Sequence, residues 1–250
     1  MPAIKRCFDL IDLLVEKDKG LTMSEIHRAL RLPLSSVAAI IHTLQALGCL
    51  EKDHESSRYS LGRKLFSYSG RKNKELDIAG RCRGLLQQLV QESSLTGHIA
   101  VMRNGESIYI DRVPGPGLIQ FSSYIGMRWP LHASAVGKVL LAFLPEEELT
   151  NMLKYLPLNR LTAHTTTVRQ QLEKQLRHFR RIGYGWEVNE GELGVACVAA
   201  PILGDGDLTM AAVSVTGTTH QITDDRIPSL GKLVKKFANA MSARVGAQAR

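Results

Sequence analysis

The chain of 250 residues is 44% hydrophobic and 22% charged with a formal charge of +8, an ordinary globular composition with room for about two domains, each able to bury its own core. No apolar run approaches the roughly 20 residues that a bilayer demands, and the N-terminus MPAIKRCFDLIDLL lacks the pattern of a secretory signal, so a cytoplasmic protein is expected. Cys7, Cys49, Cys82 and Cys197 lie far apart and form no CxxC pair, which indicates neither a zinc knuckle nor a disulfide framework.

The positive charge favours an anionic partner, and its placement is uneven. Residues 1–57 carry 7 Lys/Arg against 8 Asp/Glu, whereas residues 58–83 carry 8 against Glu75 and Asp77. Ahead of that basic stretch, Ile4, Phe8, Ile11, Leu14 and Val15 recur at helical spacing and predict a first amphipathic helix over 4–17, ended by Gly20. Thr22-Met-Ser-Glu25 reads as a capping box that opens a short second helix to about Leu30, with Arg31-Leu32-Pro33 as the turn. In the third helix Val37, Ile40, Ile41, Leu44 and Leu47 define the apolar face. The opposite face then holds Ser35, Ala39, His42 and Ala46, flanked by Ala38 and Thr43, small or hydrogen-bonding residues with no acid among them. Gly48 closes the helix, and Leu50–Lys52 and Arg58–Leu61 read as two short strands around a polar tip. Helix, helix, turn, helix and hairpin is the order of a winged helix-turn-helix, in which a helix enters the major groove and the wing lies along the backbone. The alternative is a small helical domain that pairs with protein; the basic run directly after the wing favours DNA.

From Gly62 to about Ser94 the pattern stays helical, with Leu85, Leu86, Leu89 and Val90 as an apolar patch. After Thr96 the period becomes two: 98–103, 106–113 and 118–125 read as strands, the first two joined by an Asn104-Gly105 hairpin turn. Helices are predicted near 132–144, 146–156 and 168–182, strands at 184–189, 194–203 and 208–217, and a last helix from about Thr223 to Val245. The domain is a mixed α/β one, a sheet covered by helices. It carries no GxSxG, Walker, GxGxxG or HExxH motif, and its histidines lack metal-ligand spacing, so no catalytic residue, metal or cofactor is expected. Alternation in Ala211–Gly217 puts Ser214 and Thr216 on one face, and Cys197 shares a face with Val195 and Ala199. These groups could bind a small polar ligand or bond to nearby backbone.

Leu32-Pro33-Leu34-Ser35-Ser36-Val37, Leu44-Gln45-Ala46-Leu47-Gly48 and Arg58-Tyr59-Ser60-Leu61-Gly62 resemble the DNA-binding domain of the IclR family of transcriptional regulators. His132-Ala-Ser-Ala-Val-Gly137-Lys138, Arg181-Ile-Gly-Tyr184, Glu190 with Gly194-Val195, Ala199-Ala-Pro-Ile202 and Ile222-Thr-Asp-Asp-Arg226 resemble its effector domain, in the same order. The resemblance implies an α+β protein: a winged helix-turn-helix domain at 1–62, a linker helix at 63–94, and a GAF-like mixed α/β effector-binding domain at 95–250. It implies DNA contacts at Ser35, Ser36, Ala39, His42, Thr43, Arg58, Arg63 and Lys64. Ala38 and Ala39 stand where members often carry a polar residue and an arginine, which shifts base readout toward Ser35, Ser36, His42 and Thr43. It places an effector, a small carboxylate or sugar-derived acid, among Leu118, Phe121, Ser134, Ala135, Val136, Glu187, Cys197, Ser214 and Thr216. A homodimer or tetramer that represses a catabolic operon is the expected function, with an activator, or an enzyme carrying a DNA-binding domain, as the alternatives.

Overall fold

The computed structural model describes residues 3–15, 17, 19–53, 55–65, 74–118, 120–204, 206 and 208–246. The chain divides into two compact units, Met1–Asn73 and Lys74–Arg250.

The first unit contains α1 (Ala3–Val15), α2 (Met23–Leu30) and α3 (Leu34–Ala46), with β1 (Leu21–Thr22), β2 (Leu50–Lys52) and β3 (Arg58–Leu61) forming an antiparallel sheet in the order β1-β3-β2. The capping box is present: the Glu25 amide donates to the Thr22 hydroxyl at 3.3 Å, and the Thr22 amide donates to the Glu25 carboxylate at 2.7 Å. Leu10, Leu14, Ile26, Val37, Ile41 and Tyr59 form the core.

The stripe predicted for α1 leaves Ile4, Phe8 and Val15 exposed at 73%, 61% and 59%. The buried row runs instead through Leu10 and Leu14, with Cys7 and Ile11 packed against it. Two apolar rows share this helix, and only the positions of α2 and α3 decide which one turns inward. Leu47, predicted on the apolar face of α3, caps the helix and stays 56% exposed.

The second unit begins with α4 (Lys74–Ser93), and β4 (Thr96–Arg103), β5 (Glu106–Val113), β6 (Arg128–Pro130), β7 (Gly185–Val188), β8 (Val195–Leu203) and β9 (Thr209–Thr218) form one sheet in the order β6-β5-β4-β9-β8-β7. Every neighbouring pair is antiparallel. The β4–β5 hairpin turns through Asn104 and Gly105, both at positive φ (51° and 78°), as a two-residue turn matched to strand twist requires. On one face α4 and α8 (Ile227–Gly246) bury Leu86, Leu89, Val234 and Met241 against Ile99, Val198, Val213 and Val215. On the other lies α5 (Ala135–Ala142), whose Val136, Val139 and Leu140 meet the small side chains Ala100, Ala199 and Ala212. Outside it pack α6 (Glu146–Tyr155) and α7 (Arg169–Ile182), through Leu141, Leu153, Leu172 and Leu176.

The described part of the segment expected as a linker, α4, is built into the core of the second unit, while 66–73 lie outside the described residues. Residues 63–65 are helical. The strand expected at 118–125 is not formed. Pro114, Gly115 and Gly117 interrupt the chain after β5, and the short β6 takes the edge position, paired through Ser107↔Trp129. The intervening segment is tied by side chains across the sheet face on which α5 packs, with the Arg112 guanidinium donating to the Phe121 carbonyl at 2.9 Å and to the Ser123 hydroxyl at 3.0 Å.

The start of α5 is fixed by Gly137, where a Cβ would stand 2.5 Å from the Leu131 Cα and carbonyl oxygen and 2.6 Å from the Ser134 hydroxyl. Gly137→Ala should therefore destabilise the second unit by about 1–3 kcal/mol through overpacking; urea unfolding followed by circular dichroism measures it, and unchanged stability would show that the turn can yield.

Candidate functional site

In the first unit, Ser35, Ala39, His42, Thr43 and Ala46 are exposed along one side of α3, and Ser36 is half-buried. The face expected from the periodicity is the one turned outward. The Thr43 hydroxyl donates to the Ala39 carbonyl at 2.8 Å, so its free lone pairs are what it offers outward. Arg58, expected to meet a phosphate, is also engaged within its own unit. Its guanidinium donates to the Gly20 carbonyl at 2.9 Å and to both oxygens of Glu25, at 3.1 and 3.3 Å. Hydrogen bonds from the Thr22 amide and hydroxyl, together with this guanidinium, hold the Glu25 carboxyl below the usual range. Arg58 ties the wing to the start of α2. Arg63 and Lys64, directly after the wing, are exposed.

In the second unit a cavity of about 530 Å³, including the part open to solvent, lies on the sheet face that carries α5. Its floor is set by the alternation of five strands: His98 of β4, Tyr109 of β5, Thr216 of β9, Cys197 of β8 and Glu187 of β7. Phe121, Ser122 and Ser123 close it from one side, and Trp129, Ala133 and Ser134 from another. The floor is hydrogen-bonded from end to end. The Cys197 sulfur lies 3.2 Å from the Thr216 hydroxyl, which lies 3.4 Å from His98 Nδ1, and His98 Nε2 lies 2.8 Å from the Ser123 hydroxyl. The imidazole stacks on Tyr109 with ring centroids 4.3 Å apart. Burial, helped by the Arg112 charge, drops the His98 pKa to about 3, so the ring is neutral and donates through one nitrogen only.

Glu187 is 4% exposed. One of its oxygens accepts from the Glu190 amide at 2.9 Å and the Gly191 amide at 3.4 Å, yet burial wins and raises the carboxyl to about 7. Burial, with Glu187 beside it, holds the Cys197 thiol well above its ordinary value, opposite to what a nucleophilic thiolate requires. Next to the cavity, the fully buried Lys138 donates to the Glu190 carboxylate and to Gln175 Oε1 at 2.9 Å. The second Glu190 oxygen accepts the Thr166 amide at 2.9 Å.

Of the effector residues expected from sequence, Phe121, Ser134, Glu187, Cys197 and Thr216 line this cavity. Ala135 and Val136 are buried in the first turn of α5 and do not line it, and Ser214 is buried one pair further along β9, opposite His98 and Ala199. Leu118 is fully exposed, because the segment that was to carry it inward as a strand leaves the sheet. His98, Tyr109 and Trp129 were not anticipated. The period-two alternation of β4 and β5 carried a signal for the first two; Trp129 had none. The Trp129 indole Nε1 is buried and has no partner among the described residues.

Two family profiles match the chain: "IclR helix-turn-helix domain" over residues 3–54 and "Bacterial transcriptional regulator IclR C-terminal" over residues 71–243. The chain belongs to the IclR family. The HTH-type transcriptional regulator XynR of Escherichia coli is 29% identical over 98% of this chain and 97% of its own. The transcriptional repressor IclR of the same organism is 29% identical over 98% of this chain and 90% of its own. The crystal structure of the Thermotoga maritima IclR aligns over 97% of this chain and 98% of that one, with a TM-score of 0.83 and 29% identity. The protein is thus an IclR-type DNA-binding transcriptional regulator, a helix-turn-helix followed by a mixed α/β domain, and not an enzyme. No helix among the described residues is long and apolar enough to cross a membrane.

The raised Glu187 carboxyl has a sign in stability. Between the unfolded value of 4.5 and the folded value of about 7 the native state holds the extra proton, so its contribution is lost as pH rises through 7. Glu187→Gln should accordingly melt higher than the parent at pH 8 and close to it at pH 4.5; equal gains at both values would disprove the shift.

Proposed function

We propose that this IclR-family regulator represses a catabolic operon and releases or rearranges on its operator when a small organic acid occupies the cavity above His98, Thr216 and Glu187. The observation that carries the reading is the cavity: it lies on the sheet face beside α5, partly open to solvent, and its floor is a set of buried, hydrogen-bonded polar side chains. A ligand with oxygen atoms would find hydroxyl partners there, at Ser122, Ser123 and Thr216. The similarity to a repressor over nearly the full length supports the sign of regulation.

In this reading the outward face of α3, with Ser35, Ser36, Ala39, His42 and Thr43, enters the major groove, and Arg63 and Lys64 meet phosphates. Residues 1–62 act as the reading domain, 63–94 as the connection and 95–250 as the sensor. A two-fold dimer or a tetramer in the cytoplasm would present paired reading domains to operator half-sites. The effector acts by binding one arrangement of those pairs better than the other.

Two measurements test the two halves. On DNA fragments from upstream of the gene and its neighbours, neutralising Arg63 and Lys64 should weaken binding to all sequences and flatten the salt slope by about 0.9 per lost phosphate contact. His42→Ala should change the ranking of operator variants; a uniform loss would move His42 from base reading to backbone contact. Thr216→Ala should weaken effector binding by roughly tenfold, the loss of one hydrogen bond, with DNA affinity of the free protein unchanged. An unaltered effector response places the ligand elsewhere.

A further inference from the structure

An organic acid in this cavity meets a problem of charge. Glu187 lines the cavity and is buried, and the lining contains no lysine or arginine among the described residues. Lys138, the cation on α5, is committed to Glu190 and Gln175 and does not reach the lining. Arg112 spends its guanidinium on Ser123 and Phe121 behind the wall. The first turn of α5 offers little to an anion, since the Ser134 hydroxyl already accepts the Gly137 amide and neither Ala135 nor Val136 lines the space. What remains for a ligand oxygen is the hydroxyls and the Glu187 carboxyl itself, with a second carboxylate, the exposed Glu192, also in the lining. Two carboxylates facing each other in a buried space without a cation cannot both be ionised; one proton held between them removes the repulsion and forms a strong O–H···O bond.

We propose that an organic acid enters this cavity together with one proton, which it shares with Glu187, so that Glu187 makes effector binding fall as pH rises. The proposal rests on the acid reading given above. The groups around Glu187 leave it as the site of the exchange. Cys197 from β8 and Tyr109 from β5 are both pushed upward by burial and keep their protons, and His98 from β4 is neutral. Lys138 from α5 is paired with Glu190 in the turn after β7, and Glu192 lies further along that turn. One Glu187 oxygen accepts the amides of Glu190 and Gly191, and the carboxyl is also hydrogen-bonded to the Cys197 thiol; the shared proton is carried on the oxygen that the two amides do not hold. A free-state value of about 7 means that Glu187 is already partly protonated at neutral pH, and the cost of taking up the proton is then small.

The probes are benzoate, lactate and glycolate, with benzyl alcohol and propylene glycol as neutral counterparts, titrated calorimetrically into the full chain. With a carboxyl near 7 that must be protonated, acid affinity should be level below pH 7 and fall tenfold per unit above it, roughly thirty-fold between pH 6 and pH 8.5. Titrations at pH 8 in two buffers of different ionisation enthalpy should report uptake of about one proton per bound acid. Neutral ligands should show neither effect. In Glu187→Gln the pH dependence should disappear whatever the affinity; its melting curve shows that it is folded, and the proton count on the unsubstituted protein needs no variant. Acid binding with no proton uptake and no change between pH 6 and 8.5 overturns this inference and leaves the acid reading standing. Failure of every acid to bind at pH 6 overturns both.

Discussion

A lysine withdrawn entirely from water must be met by a carboxylate, and the ion pair of Lys138 with Glu190 organises the second unit of this protein. Lys138 sits on α5, Gln175 on α7, Thr166 just ahead of α7 and Glu190 in the turn after β7. One network therefore joins the layer of helices to the rim of the sheet. Breaking such a pair from one side costs about 3–5 kcal/mol, because the charge left behind is buried and alone. The same turn delivers the Glu190 and Gly191 amides to Glu187. A structural ion pair thereby sets the geometry of a carboxyl that lines the cavity, and it uses up the one α5 cation that could have neutralised that carboxyl directly.

The floor of the cavity follows from pleating. Five adjacent strands each contribute the side chain that alternation turns toward α5, and the alanines at 100, 199 and 212 let that helix approach closely over the remainder of the sheet. Where the large and polar side chains His98, Tyr109, Thr216, Cys197 and Glu187 replace alanine, the helix cannot fill the space. The tether from Arg112 to Phe121 and Ser123 then closes one side without adding a strand.

Much of this was legible in the sequence, and the parts that were not share a cause. The capping box at Thr22, the hairpin at Asn104-Gly105, the outward face of α3 and the pocket-facing Thr216 and Cys197 all arise from local periodicity or turn chemistry, which neighbouring residues determine. The α1 stripe was misread because Phe8 and Leu10 are equally apolar, and only packing against other helices distinguishes their rows. The strand at 118–125 was misread because its alternation is real, while its hydrogen-bonding edge is already taken by β6. Leu118 fell out of the site with it. The pairing of Arg58 with Glu25, 33 residues away and on a different element, left no local pattern to read. Trp129 lines the cavity from β6, a three-residue edge strand too short for its alternation to be read in advance.

The clasp of Arg58 on Glu25 and Gly20 also bears on how such a reading domain can diversify. A single guanidinium holds the wing strand, the loop before β1 and the capping box of α2 together. A wing so fastened cannot change its tilt without uncapping the helix beneath it. On the proposed reading of α3, new target sequences are then reached most cheaply by exchanging its small exposed side chains, while the scaffold that presents them is kept.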